Sequence, residues 1–190
     1  ALEEAEVLQI SLQELKTIIR EELVTGGRFN IRRNIKGLDA KQKDDKTKMS
    51  YLIADKRDVS EIDDIQSYLK NKGFNVVSPS YEGDLVDLRY IHQENLRRCD
   101  ASIIYFGQAT EDWIKTKLQD LLKAPGFGRE KPITAKAVYF NGQKDVDMEH
   151  YEKNNAMVLG NNGGTFTPDH LTPFLTKIES WWAKKKLMLR

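Results

Sequence analysis

Three short segments of this 190-residue chain gather side chains able to do polar chemistry. Asp55-Lys56-Arg57-Asp58 follows an apolar run at 51–54. Gly107-Gln108-Ala109-Thr110-Glu111-Asp112 follows another at 100–106, and Ser78-Pro79-Ser80-Tyr81-Glu82-Gly83-Asp84 follows a third at 74–77. Together they set the carboxylates Asp55, Asp58, Glu82, Asp84, Glu111 and Asp112 against the cations Lys56 and Arg57. A carboxylate–arginine cleft can hold a ribosyl-type substrate, and a carboxylate can attack or stabilise an oxocarbenium carbon. The same residues also have plain structural uses. Asp84 and Thr110 are placed to cap helices, and Glu111 and Asp112 to complement a helix dipole.

The elements that would position these segments alternate along the chain. Strands are expected at 51–54, 74–77, 100–106, 133–140 and 156–159. The helix expected at 60–72 is capped by Ser60, buries Ile62, Ile65 and Leu69, and stops at Gly73. Further helices are expected at 84–98, at 110–123 through Ile114, Leu118, Leu121 and Leu122, and at 167–184 through Leu171, Phe174, Leu175, Ile178 and Trp182. Strands alternating with helices of this length imply right-handed crossovers and a mostly parallel sheet covered on both faces. The fold class is therefore α/β: a flavodoxin-like three-layer sandwich with a five-stranded sheet of order 2-1-3-4-5. In that order ligands bind beyond the carboxyl ends of strands one and three, where the polar segments fall.

Residues 50–190 form this domain. Before it, residues 39–48 carry seven charges in ten positions and read as a solvated linker over 39–49. Residues 1–38 form a helical arm, with Leu8, Leu12, Leu15, Ile19 and Leu23 in one amphipathic stripe. The chain begins at Ala1 without a methionine, which fits either removal of an initiator or a piece of something longer.

Composition narrows the function classes. Thirty Lys and Arg against 29 Asp and Glu leave a formal charge of +1, so no wholesale capture of nucleic acid or anionic membrane is expected. No apolar run reaches the ~18 residues needed to cross a bilayer, and the acidic first ten residues do not resemble a secretory signal. The single cysteine, Cys99, is read as buried packing, so a cytoplasmic setting without disulfides is expected. His92, His150 and His170 are too widely spaced for a metal site, and no metal or required cofactor is expected. Neither GxGxxG nor GxxxxGK[ST] nor GxSxG occurs. The glycines at 126–128 and 161–164 read as turns, and Lys184-Lys185-Lys186 as a solvated helix end.

Residues 51–123 resemble the bacterial, divergent form of the Toll/interleukin receptor (TIR) domain. The resemblance lies in the apolar strand before Asp55 and Asp58, and in Lys72-Gly73-Phe74 between helix and strand. It continues through Pro79-Ser80-Tyr81-Glu82-Gly83 in the place of the BB loop, the strand after Cys99, and Thr110-Glu111-Asp112-Trp113 opening the next helix. It implies homotypic self-association, or pairing with other TIR-like domains, with residues 79–83 as a contact loop. Signalling or effector roles such as bacterial antiphage defence follow from it. It also implies cleavage of NAD as a substrate, by a glutamate four residues after a tryptophan. Here that position is Lys117, which would repel a ribosyl cation. Glu111 is the nearest substitute carboxylate, with Asp55, Arg57 and Gln108 as substrate contacts and Trp113 as a wall.

Overall fold

The computed structural model of the chain describes residues 48–142, 148–161 and 165–188, together with Leu12, Glu14, Lys16 and Thr17. Two compact units divide the chain: Thr47–Pro79 with Gln93–Arg190, and Ala1–Lys46 with Ser80–His92. The larger unit carries a five-stranded sheet, β1 (Lys48–Ile53), β2 (Phe74–Val77), β3 (Ala101–Phe106), β4 (Ala135–Asn141) and β5 (Ala156–Asn161). The order is β2-β1-β3-β4-β5, and every pairing is parallel. The flavodoxin-like architecture expected from the alternation is the one observed.

The helices are α1 (Asp63–Asn71), α2 (Leu85–Arg98), α3 (Glu111–Lys123), α4 (Met148–Lys153) and α5 (Thr172–Met188). One core lies on the α1 and α5 side, where Ile65, Leu69, Phe174 and Ile178 meet Leu52, Ile103, Tyr105 and Tyr139. The other contains Leu96, Ile114, Leu118 and Tyr151 against Tyr51, Ile53, Ile104 and Phe106. Alternate residues of one strand therefore feed opposite cores, as a pleated strand requires. All six residues of the central strand β3 are buried.

Several boundaries differ from expectation for physical reasons. Lys48 and Met49, assigned to the linker, open β1. The carboxylate of Asp100 accepts from the Met49 amide at 2.8 Å, and Lys48 pairs in register with Phe74. Ser60 does not cap α1. Asp55 starts a 3-10 turn over Lys56–Glu61 that absorbs Ser60, and α1 then begins at Asp63 with Ile62 before it. Leu122 is 39% exposed although its neighbours Leu118 and Leu121 are buried, because at 100° per residue it falls on the edge of the Ile114 stripe. On α2, Leu96 is buried and Leu85 is half exposed.

β4 begins two residues late, at Ala135, and β5 runs on to Asn161. The short α4, which buries Tyr151, was not anticipated. Gly73 ends α1 with a φ of +83°, the left-handed stop expected of it. Residues 126–128 form the expected turn, with Gly128 closing a 3-10 segment. Of the N-terminal stripe, Leu12 is helical and exposed. Its other members, the charged residues 39–47 and the glycine turn at 162–164 lie outside the described residues.

Candidate functional site

The carboxyl ends of β1 and β3 stand side by side, and the 3-10 turn Lys56–Glu61 lies directly after β1. A 3-10 helix repeats every three residues, so positions three apart eclipse one another. Asp55, Asp58 and Glu61 have that spacing. They form one acidic row, and each carboxylate has a separate task.

Asp55 caps the turn. Its Oδ1 accepts from the Arg57 amide at 3.0 Å and from Arg57 Nε at 2.8 Å, while Oδ2 accepts from Nη2 at 3.3 Å. This fork holds the Asp55 carboxyl below its ordinary range. Asp58 turns inward and is fully buried. Its Oδ1 accepts from the Gln108 amide at 2.8 Å, which ties the turn to the loop after β3. Burial is the largest influence on its carboxyl and pushes it up; Glu61 and Asp55 add to that, and the Gln108 and Ala109 amides oppose it.

Glu61 reaches further across the sheet. Its Oε2 accepts from the Tyr105 hydroxyl of β3 at 2.8 Å and from Asn141 Nδ2 at the end of β4 at 2.9 Å. Gln108 Nε2 donates to the Arg57 carbonyl at 3.3 Å and to Glu61 Oε1 at 3.5 Å. Burial, then the bonded Glu61 carboxylate, holds the Tyr105 phenol above its ordinary range. The Tyr105 ring stacks on Tyr139, with centroids 5.7 Å apart and planes 11° apart. The Tyr139 hydroxyl lies 3.0 Å from His170 Nδ1.

A glycine between these groups makes the approach of the two loops feasible. A Cβ on Gly107 would stand 2.5 Å from Asp58 Oδ1 and 2.7 Å from Tyr105 Cε1, closer than any side chain tolerates.

The expected site residues are therefore only partly assembled. Asp55, Arg57 and Gln108 belong to one hydrogen-bonded layer. Glu111 stands elsewhere, on the first turn of α3, and pairs with Lys115 one turn on, at 3.0 Å. Trp113 is half buried and packs against the core that contains Ile114 and Leu118. Lys117 pairs with Asp120 at 3.2 Å, and its Nζ lies 5.8 Å from the centroid of the Trp113 ring. The capping uses are realised. Thr110 Oγ1 accepts from the Trp113 amide, and Asp84 Oδ1 accepts from the amides of Val86 and Asp87. Sequence reasoning did not single out Glu61, Tyr105 or Asn141. The three-residue acidic spacing was the available signal, but it becomes meaningful only once residues 56–61 are known to form a 3-10 turn.

In the loop after β2, Gln66 Nε2 donates to Ser78 Oγ at 2.9 Å, and Pro79 is half buried. Within the smaller unit, Ser80, Glu82 and Gly83 are exposed, Tyr81 is half buried, and the Ser80 hydroxyl donates to the Glu82 carbonyl at 3.1 Å. Cys99 is buried, and burial pushes its thiol up to about 11. Among the described residues, no group of three His, Cys, Asp or Glu is placed to hold a metal ion, and no helix is long and apolar enough to cross a membrane.

No protein-family model and no curated protein matches the chain. Among solved structures, a response regulator receiver domain protein from Bacillus halodurans C-125 is similar at 17% identity with a TM-score of 0.43. The match covers 70% of this chain and 97% of that one.

Proposed function

We propose that the chain is a TIR-like signalling or effector domain that acts in the cytoplasm by homotypic self-association. The observation that carries this reading is the state of the carboxylates a ribosyl chemistry would need. Glu111 is engaged by Lys115 on its own helix, Asp55 by Arg57, and Glu61 by Tyr105 and Asn141. At the position where the family resemblance puts the acting glutamate stands Lys117, bound to Asp120. A cation there opposes a developing ribosyl cation. With Asp55, Glu61 and Glu111 each engaged by a neighbour, the exposed positions of the 79–83 loop are the surface we assign to the family's other activity, contact between copies.

The test is light scattering of the eluting chain over a wide range of concentration, with Glu82→Lys in the loop as comparison. Self-association is expected to grow with concentration and to weaken in the variant. A chain that stays monomeric throughout overturns the reading. Incubation with NAD is the counter-assay. Turnover that disappears in Glu111→Ala would replace the scaffold reading with an N-glycosidase using that carboxylate.

A further inference from the structure

Asp58 is the one carboxyl among the described residues that is fully buried. Its two oxygens are unequally served. Oδ1 holds the Gln108 amide, whereas Oδ2 is buried and has no hydrogen-bond partner among the described residues. A buried carboxylate oxygen without a donor is costly to keep charged, and taking up a proton removes that charge in place. Protonation at Oδ2 leaves Oδ1 free to keep accepting from Gln108, but as a neutral acceptor whose bond is roughly half as strong.

The charged and titratable surroundings favour that proton. Glu61 and Asp55, on the same turn, both repel the ionised form, and burial acts in the same direction. Tyr105 faces it from β3 as a neutral phenol. Arg57 is the neighbouring cation, and it is already forked onto Asp55. The amides of Gln108 and Ala109 are what hold the ionised form in place.

We propose that Asp58 is a proton-operated latch between the loops that follow β1 and β3. Ionised, it grips the Gln108 amide. Protonated, it slackens that grip and loosens the layer in which the Gln108 side chain meets the Arg57 carbonyl and Glu61. Gly107 is the hinge-side partner of the device, since only a residue without Cβ lets the β3 loop come this close to the carboxyl. Both loops stand at the carboxyl ends of adjacent strands, so proton uptake is read out at that end of the sheet. The latch does not depend on the self-association reading.

The experiment is an NMR titration of the full chain from neutral to acidic pH, following side-chain carboxyl carbons and backbone amides together. Asp58 is expected to titrate above the ordinary aspartate midpoint of about 3.9. The Gln108 amide proton should move upfield on acidification with the same midpoint. In Asp58→Asn that step at Gln108 should vanish. The latch is overturned if Asp58 titrates with the exposed aspartates, or if the Gln108 amide shows no step at the Asp58 midpoint. It is equally overturned if the chain unfolds before Asp58 takes up its proton. Wild-type spectra alone decide the first two outcomes, so the conclusion does not hang on the folding of the variant.

Discussion

Glu61 and Tyr105, 44 positions apart in the chain, share a hydrogen bond of 2.8 Å that ties the turn after β1 to the central strand. The same carboxylate oxygen accepts from Asn141, so one side chain fastens the loop side of β1 to both β3 and β4. Removing it leaves the largely buried Tyr105 hydroxyl without its acceptor. Glu61→Ala is expected to lower stability by about 1–3 kcal/mol, the cost of an orphaned buried polar group with charged-partner bonds lost. Urea unfolding measures it. A change below a few tenths of a kcal/mol would mean that Tyr105 finds water instead.

Gly107→Ala should destabilise the chain by about 1–3 kcal/mol, the usual range for overpacking, because its Cβ meets Asp58 Oδ1 and Tyr105 Cε1 below contact distance. Shortening Asp58 to alanine removes one of the two obstacles. The double substitution Gly107→Ala with Asp58→Ala is therefore expected to cost less than the two singles added together, which a double-mutant cycle reads directly. Strict additivity would show that the two loops do not press on each other.

Asp55 and Asp58 should bend the stability–pH curve in opposite senses. The Asp55 carboxyl lies below its unfolded value, so its contribution is present above about pH 3.9 and is lost as pH falls through its lower folded value. The Asp58 carboxyl lies above its unfolded value. Its contribution is fully present below about pH 3.9 and is lost as pH rises through the folded value. Chemical unfolding over a pH series is expected to show Arg57→Ala weakening the first dependence and Asp58→Asn removing the second. Identical curves for Asp58→Asn and the parent would contradict the assignment.

Cys99 should be inert in the folded chain. It is fully buried, and burial pushes its thiol up to about 11, so little thiolate exists near neutral pH and none is accessible. A thiol reagent such as DTNB is expected to titrate no cysteine in the native protein and one after denaturation. Fast native labelling at pH 7–8 would show that the Leu96–Cys99 region opens readily.

The fold was legible because its signals are local and repeated. Ile62, Ile65 and Leu69 recur at helical spacing, Ile103 and Ile104 lie in a short apolar run, and Gly73 sits where a left-handed stop belongs. The site was legible only in part. Asp55 and Arg57 could be placed at a strand end from sequence, and so could Gln108. Their mutual geometry depends on a 3-10 turn that no apolar periodicity marks, since residues 56–61 contain a single hydrophobic side chain, Val59.

By itself, then, the sequence determined the layer architecture, the strand order, the caps at Asp84 and Thr110, and the lysine at position 117. Each of these follows from residue type and from spacing within one element. Only the tertiary structure decided what the acids do. Glu61 acquires its role from Tyr105 and Asn141, Asp58 from Gln108 and Gly107, and Glu111 finds its partner in Lys115 on its own helix. Burial and partner choice set the state of a carboxylate, and both are fixed by strands that meet in space far from their positions in the chain.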